Sequence, residues 1–261
     1  HYDRFEYYAT MLPPRPAIRH LKTQSNQARD INSMDQIPAS SWFFPRLGYE
    51  PLSPDVLVSG PSELGPPHPP LVVFKIRNPE NNPRLFVADK RGIYYLLKMD
   101  PPNYPGMATN TSFIVNRLFW SFGYHVPEDH LFQFSLDDLQ PAPESTLSLS
   151  SIQQLLQKVA PPHQGRYQAI ASRIVKGLPL GPAPERGVRE DDPNDFFPHE
   201  DRRTLRALGV FCAFTNWADI GPDNLLDVYV GKPDQGYIKH YLVDFDDAFG
   251  TQAARENALW A

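Results

Sequence analysis

One cysteine, no long apolar run and no surplus of positive charge narrow this 261-residue chain before any motif is read. The lone Cys212 permits no internal disulfide and no four-cysteine zinc site. Inside Val210-Phe211-Cys212-Ala213-Phe214 it is expected to pack as a small buried hydrophobe. No stretch approaches the ~18 apolar residues of a membrane helix, so no transmembrane segment is expected. Lys and Arg number 25 against 30 Asp and Glu, a net charge of −5. That balance leaves no basic footprint, and no nucleic acid is expected as a partner. Neither a Gly-x-Ser-x-Gly elbow nor a His-Glu-x-x-His helix occurs. His125 and His130 are separated by a proline at a spacing that does not make a helical zinc pair. The acidic loop holding Asp219, Asp223 and Asp227 lacks the calcium-loop pattern.

Proline is what the chain has in excess: 29 residues, about one in nine and roughly twice the usual share. That density excludes coiled coils, helix bundles and solenoids of long helices, because proline breaks helix interiors. Disorder is excluded in turn, since 41% of residues are hydrophobic and 12% aromatic, enough to bury a core. The prolines are uneven, with 17 in residues 1–105, 10 in 106–200 and 2 in 201–261. Residues 1–70 read as an irregular arm, with Trp42, Phe43 and Phe44 expected to dock it on the globular part. The chain begins at His1 rather than Met, so a fragment or a processed chain is expected.

Proline-free windows carry the periodic signals. Leu71–Ile76, Leu85–Ala88 and Ile93–Lys98 are β-branched and aromatic and read as strands. The turn Asp89-Lys90-Arg91-Gly92 joins the last two as a hairpin, with Gly92 at the position that needs positive φ. Alternation puts Tyr94, Leu96 and Lys98 on one face, so a lysine ends an otherwise hydrophobic face. Ile114, Leu118 and Phe122 repeat at helical spacing over 108–122, and Gly123 suits the end of that helix. His130–Phe134 reads as a strand, Ser151–Val159 as a short helix and Arg166–Lys176 as a strand. Residues 179–198 read as a surface connection. A second helix is expected over 199–217, its second half buried nearly all round through Val210, Phe211 and Phe214. Strands at Leu225–Val230 and Tyr237–Phe245 close the pattern. The order is α+β, with a sheet-rich part followed by a helical part.

Several polar residues fall at the ends of these elements. Asp219 precedes Asn224 by five positions in a loop between helix and strand, and Asp244 ends the strand Tyr241-Leu242-Val243. A hairpin would return Asp244 beside Asn224. With Lys98, one cation and three oxygen-bearing side chains would surround one cleft, which is what phosphoryl transfer requires. Asp246 and Asp247 read rather as turn carboxylates, although Asp246 could assist a metal.

The Asp-x4-Asn spacing, the later Asp244-Phe245-Asp246 and the upstream strand lysine resemble the protein-kinase-like superfamily. The loop Asp219-Ile220-Gly221-Pro222-Asp223-Asn224-Leu225-Leu226 is similar to that of its atypical branch, the type II phosphatidylinositol 4-kinases. The phrases Tyr95–Pro102 and Asp191–Asp195 also resemble a bacterial family of uncharacterised kinase-like proteins. The resemblance implies a two-lobed fold, with a small antiparallel sheet lobe at 71–178 and a mainly helical lobe at 179–261, the latter expected to be truncated. It implies ATP with Mg²⁺ as cofactors, and a protein, lipid or small-molecule hydroxyl as acceptor. Lys98 would be the phosphate lysine and Asp219 the catalytic carboxylate. Asn224 and Asp244 would be metal ligands, and Ile174 and Lys176 would lie near the adenine. The helix at 108–122 lacks the glutamate that usually pairs with the lysine, and the loop Asn78–Arg84 lacks glycine. A catalytically inactive kinase-like scaffold therefore stands as the alternative. A non-kinase domain, in which these carboxylates merely cap turns, is the third reading.

Overall fold

A computed structural model of the protein describes residues 27–49, 51–77, 83–184 and 186–251. The start of the arm and most of the loop Asn78–Arg84 lie outside them. Leu71–Arg77 (β1), Arg84–Ala88 (β2) and Tyr94–Met99 (β3) form an antiparallel meander. Asp89 shapes the β2–β3 turn by accepting the N–H groups of Arg91 and Ile93, while Gly92 takes φ 76° as expected. Next come the helix α2 at Met107–Phe122, preceded in the arm by the short α1 at Pro54–Ser59, and the strands Asp129–Phe134 (β4) and Leu139–Pro141 (β5). Leu149–Leu156 (α3) and Tyr167–Arg173 (β6) follow. The six strands make one mixed sheet in the order β4-β6-β3-β2-β1-β5, in which only the β1–β5 pair is parallel.

The chain then enters a second sheet. Leu178–Pro182 (β7), Leu225–Lys232 (β8) and Gln235–Leu242 (β9) pair antiparallel in sequence order. The expected surface connection thus begins as an edge strand, a position where Pro179 and Pro182 are tolerated because the unpaired side needs no donor. Between β7 and β8 runs α4, Arg203–Thr215, preceded by a 3-10 turn at His199–Asp201. The architecture is α+β, with four α-helices among the described residues. None of them is long and apolar enough to cross a membrane.

Two hydrophobic clusters hold these layers. The first buries Leu71, Val87, Tyr95, Leu97, Phe134 and Ile152 between the large sheet and α3. The second gathers Val115 and Phe119 of α2, Leu208 and Cys212 of α4, and Trp217, Leu242 and Phe245. Cys212 is buried, as expected. α4 is not buried all round: Leu208, Cys212 and Thr215 face inward, but Val210 is 67% exposed and Phe214 70%. Hydrophobicity around a helix marks which residues can be buried; here only one stripe meets a partner among the described residues.

The arm docks through two of its three aromatic residues. Trp42 stacks on His240 with centroids 3.6 Å apart, and the edge of His199 lies 4.9 Å away. Phe43 packs on Tyr124 and over Gly123, whereas Phe44 is 52% exposed. Gly123 ends α2 at φ 112°, and a Cβ there would lie 2.1 Å from the Phe43 ring. Glycine is required at this position by backbone and packing together.

The two phrases that carry the bacterial resemblance have structural duties. Asp100 accepts Gly106 N–H, Thr109 N–H and Thr109 Oγ1–H, each at 2.8 Å, and so caps the start of α2. Asp195 binds His199 Nε2 at 2.9 Å and Arg202 at 2.5 Å. Nearby, Asp227 on β8 pairs with His240 Nδ1 at 2.5 Å and Arg189 Nη1 at 2.9 Å. Trp42 lies against both histidines, so one buried polar assembly seats the arm on the second sheet.

Candidate functional site

β3 places Lys98 where its alternation predicts. Tyr95 and Leu97 enter the first core, and Lys98 points to the opposite face, its side chain 8% exposed. There its ammonium pairs with Asp244 Oδ1 and lies 3.8 Å from Asp246 Oδ1. Burial alone would lower the lysine pKa, but Asp246 and Asp244 outweigh it and raise it. The two residues are 146 positions apart in sequence, so the fold and not local chemistry makes this pair.

Asp244 arrives by the β8–β9 hairpin. Val243 N–H donates to Asn224 C=O at 3.0 Å, which returns the strand end to the loop before β8. Asp244 itself takes φ 64°, a left-handed turn uncommon for a residue with a side chain. Phe245, immediately after, is buried against Phe119 and Trp217 with centroids 5.5 and 4.8 Å apart, and anchors the turn to α2. Burial would raise Asp244, but Lys98, a hydrogen bond to Asp246 and Arg84 hold it well below the usual carboxylate range. Asp246 is raised, first by burial and then by its hydrogen bond to Asp244.

Asp219 and Asn224 are joined directly. Asn224 Nδ2 donates to Asp219 C=O at 2.5 Å and to Asp219 Oδ2 at 3.1 Å. Pro222 opens the short 3-10 turn between them. The turn closes the loop so that Asn224 restrains an exposed Asp219.

Lys98, Asp244 and Ile174 line one cavity of about 340 Å³ between the sheets. Its walls are largely apolar, with Leu96 and Ile170 from the large sheet, Leu226 from β8 and Val243 just past the end of β9. Asp223 reaches it, while Asp219 and Asn224 sit beside it in the loop. Lys176 is not among its lining residues. It is exposed and lines a different cavity beyond Arg173, where β6 has already ended.

Two lining residues, Arg84 and Asp129, were not singled out by the sequence reading. Arg84 opens β2 directly opposite Lys98, and its Nη2 lies 3.3 Å from Asp244 Oδ2. Its Nε is buried with no hydrogen-bond partner among the described residues. Counting back from the Asp89–Gly92 turn would have found this pairing. Asp129 comes from β4, beyond the helix expected to carry an acidic partner of Lys98. It accepts Ser172 Oγ–H at 2.6 Å and Asn116 Nδ2–H at 3.1 Å. Burial pushes it up to about 6 against the pull of Lys98. Ser112 on α2 also lines the cavity, its buried hydroxyl without a hydrogen-bond partner among the described residues. Register and tertiary packing bring these groups in, which a strand-by-strand reading does not track.

The donors suit a hard cation in one specific sense. Among the described residues, no group of three or more His, Cys, Asp or Glu is placed to hold a metal. Mg²⁺ at phosphate sites commonly takes only one or two protein ligands, with waters and phosphate oxygens completing its shell. The Asp244 carboxylate and the Asn224 amide oxygen fit that sparse demand. Comparison of the chain with protein-family models, with curated proteins and with solved structures finds no match.

Proposed function

We propose that this chain is a kinase-like phosphotransferase of two lobes, which moves the γ-phosphate of ATP to a hydroxyl acceptor. The observation that carries the reading is the meeting of Lys98 with Asp244 at the polar end of an apolar-walled cavity. Adenine would lie against Ile174, Leu226 and Val243, and Lys98 with Arg84 would hold the phosphates. Mg²⁺, held by Asp244 and Asn224, would supply positive charge to the phosphate oxygens. Asp219, exposed and restrained by Asn224, would orient the acceptor hydroxyl and take its proton. The acceptor oxygen then bonds to the γ-phosphorus as the bond to the ADP oxygen breaks, and ADP leaves with that electron pair. Asp129, buried between β4 and α2, is the acidic group on the lysine's side of the cavity where the helix offers no glutamate.

One observation favours a second reading, a nucleotide-binding scaffold without turnover. Both Asp244 oxygens are already engaged by cations, so a metal must compete with Lys98 and Arg84 for them. Single-turnover phosphate release from Mg·ATP separates the two. Transfer or hydrolysis that falls at least about a hundredfold in Asp219→Ala supports the phosphotransferase. Nucleotide binding with no phosphate release in any variant supports the scaffold.

A further inference from the structure

Ile174 and Val175 also line a second cavity, of about 280 Å³, whose character is different. Arg46, Trp120, His125, Lys176, Lys239 and Tyr241 converge on it. Two carboxylates reach it as well. Glu128 pairs with Arg173, and its other oxygen accepts the N–H groups of Glu63 and Leu64. Glu63 lies 3.5 Å from the same arginine and is largely exposed. Both carboxylates lie against Arg173, and the exposed Glu63 also acts on Lys239 through space without an ion-pair contact. Arg46, Lys176 and Lys239 have no ion-pair partner among the described residues. Four cations against two carboxylates leave two positive charges in this cavity, within a chain of net charge −5.

Two of these cations are positioned without being neutralised. Arg46 Nη1 donates to Trp120 C=O at 2.8 Å and Tyr124 C=O at 3.3 Å, and its guanidinium lies 4.7 Å from the Trp120 ring centre. Lys239 Nζ lies 5.2 Å from the centre of Tyr241. Carbonyls and π faces hold a cation in place but leave its charge available. The Nε and Nη2 of Arg46 make no hydrogen bond among the described residues. His125 donates from Nε2 to Ser40 C=O at 3.1 Å. Burial, with Lys239 and Arg46 nearby, depresses it to about 4, so the histidine is neutral and adds no charge.

We propose that this second cavity binds the dianionic phosphate of a small phosphate monoester through Arg46, Lys176 and Lys239. Two net positive charges match a phosphate of roughly −2 better than a carboxylate of −1. An arginine with unused fork donors and two lysines are the side chains that suit such an anion. The volume, near the low end of the roughly 300–1,000 Å³ range of small-molecule pockets, selects a small ligand over a polymer. The proposal is independent of the nucleotide reading, because none of the three cations lines the Lys98 cavity.

Calorimetric titration of the whole chain with glycerol 3-phosphate at pH 8 and low salt tests it. One saturable site is expected, at least about tenfold weaker in the Lys176→Gln/Lys239→Gln double variant and retained in Lys98→Met. Acetate is expected to bind at least about tenfold more weakly than the phosphate ester. No saturable binding, unchanged affinity in the double variant, or acetate binding equally well would overturn the proposal. So would binding to phosphatidic acid vesicles without binding of glycerol 3-phosphate. Comparison of the native chain with the double variant decides the matter whether or not Lys98→Met folds.

Discussion

Replacing Asp244 by Asn tests the charge logic of the cavity. Lys98 is 8% exposed, and Asp244 Oδ1 is its direct partner. Loss of one member of a buried pair costs about 3–5 kcal/mol when nothing replaces it. Here Asp246 stands 3.8 Å away. At an effective dielectric near 20 that distance gives about 4 kcal/mol of attraction once Asp246 is ionised. Its raised pKa means that part of this attraction is offset by the cost of ionising it. Asp244→Asn is therefore expected to cost about 2–3 kcal/mol, below the full penalty. Asp246→Asn alone should cost under about 1 kcal/mol at pH 7, because Asp244 keeps the lysine paired. The double variant removes the reserve, and its cost should exceed the sum of the singles by at least about 1 kcal/mol. Adding Lys98→Met to the double variant should restore stability, since no uncompensated charge then remains in that pair. Urea unfolding of the five proteins measures all of this. Additive single effects, or a triple variant no more stable than the double, would refute the reasoning.

Two further perturbations probe the frame around the site. Gly123→Ala puts a Cβ 2.1 Å from the Phe43 ring at φ 112°, and the left-handed conformation with displacement of a buried ring should cost about 3 kcal/mol. Phe43→Ala should relieve part of that cost in a double-mutant cycle, and strict additivity in urea unfolding would contradict the contact. His125 has a folded pKa of about 4, below its unfolded value near 6.5, so it contributes stability above pH 6.5 that disappears as pH falls through 4. The contribution is at most about 3 kcal/mol. His125→Gln should flatten the pH dependence of the urea midpoint across that window, and an unchanged slope would argue against a buried neutral histidine.

Local signals made much of this molecule readable. The β2–β3 hairpin follows from alternating residues and Gly92, and the end of α2 from Gly123. Lys98 sits at the end of a strand whose period-two pattern assigns it a face, and hairpin geometry alone returns Asp244 to Asn224. What the sequence did not disclose is long-range. β7 contains two prolines and no alternation, and becomes a strand only because β8 offers it an edge. Val210 and Phe214 have the apolar character of buried residues, yet exposure depends on a partner that helical periodicity cannot supply. Arg84 and Asp129 reach the cavity through strand register and through the order in which β4 and β6 join the sheet. Trp42 finds His240 across about three quarters of the chain. The two phrases that carry the bacterial resemblance, around Asp100 and Asp195, hold a helix cap and a buried ion network.

The central claim is that the cavity bounded by Lys98, Asp244 and Ile174 is a nucleotide site. Calorimetric titration of the chain with a non-hydrolysable ATP analogue, with and without Mg²⁺, addresses it most directly. One site is expected that tightens with Mg²⁺, loses that tightening in Asp244→Asn, and weakens at least about tenfold in Lys98→Met. Analogue binding that is absent, or equal in all three proteins and indifferent to Mg²⁺, would contradict it.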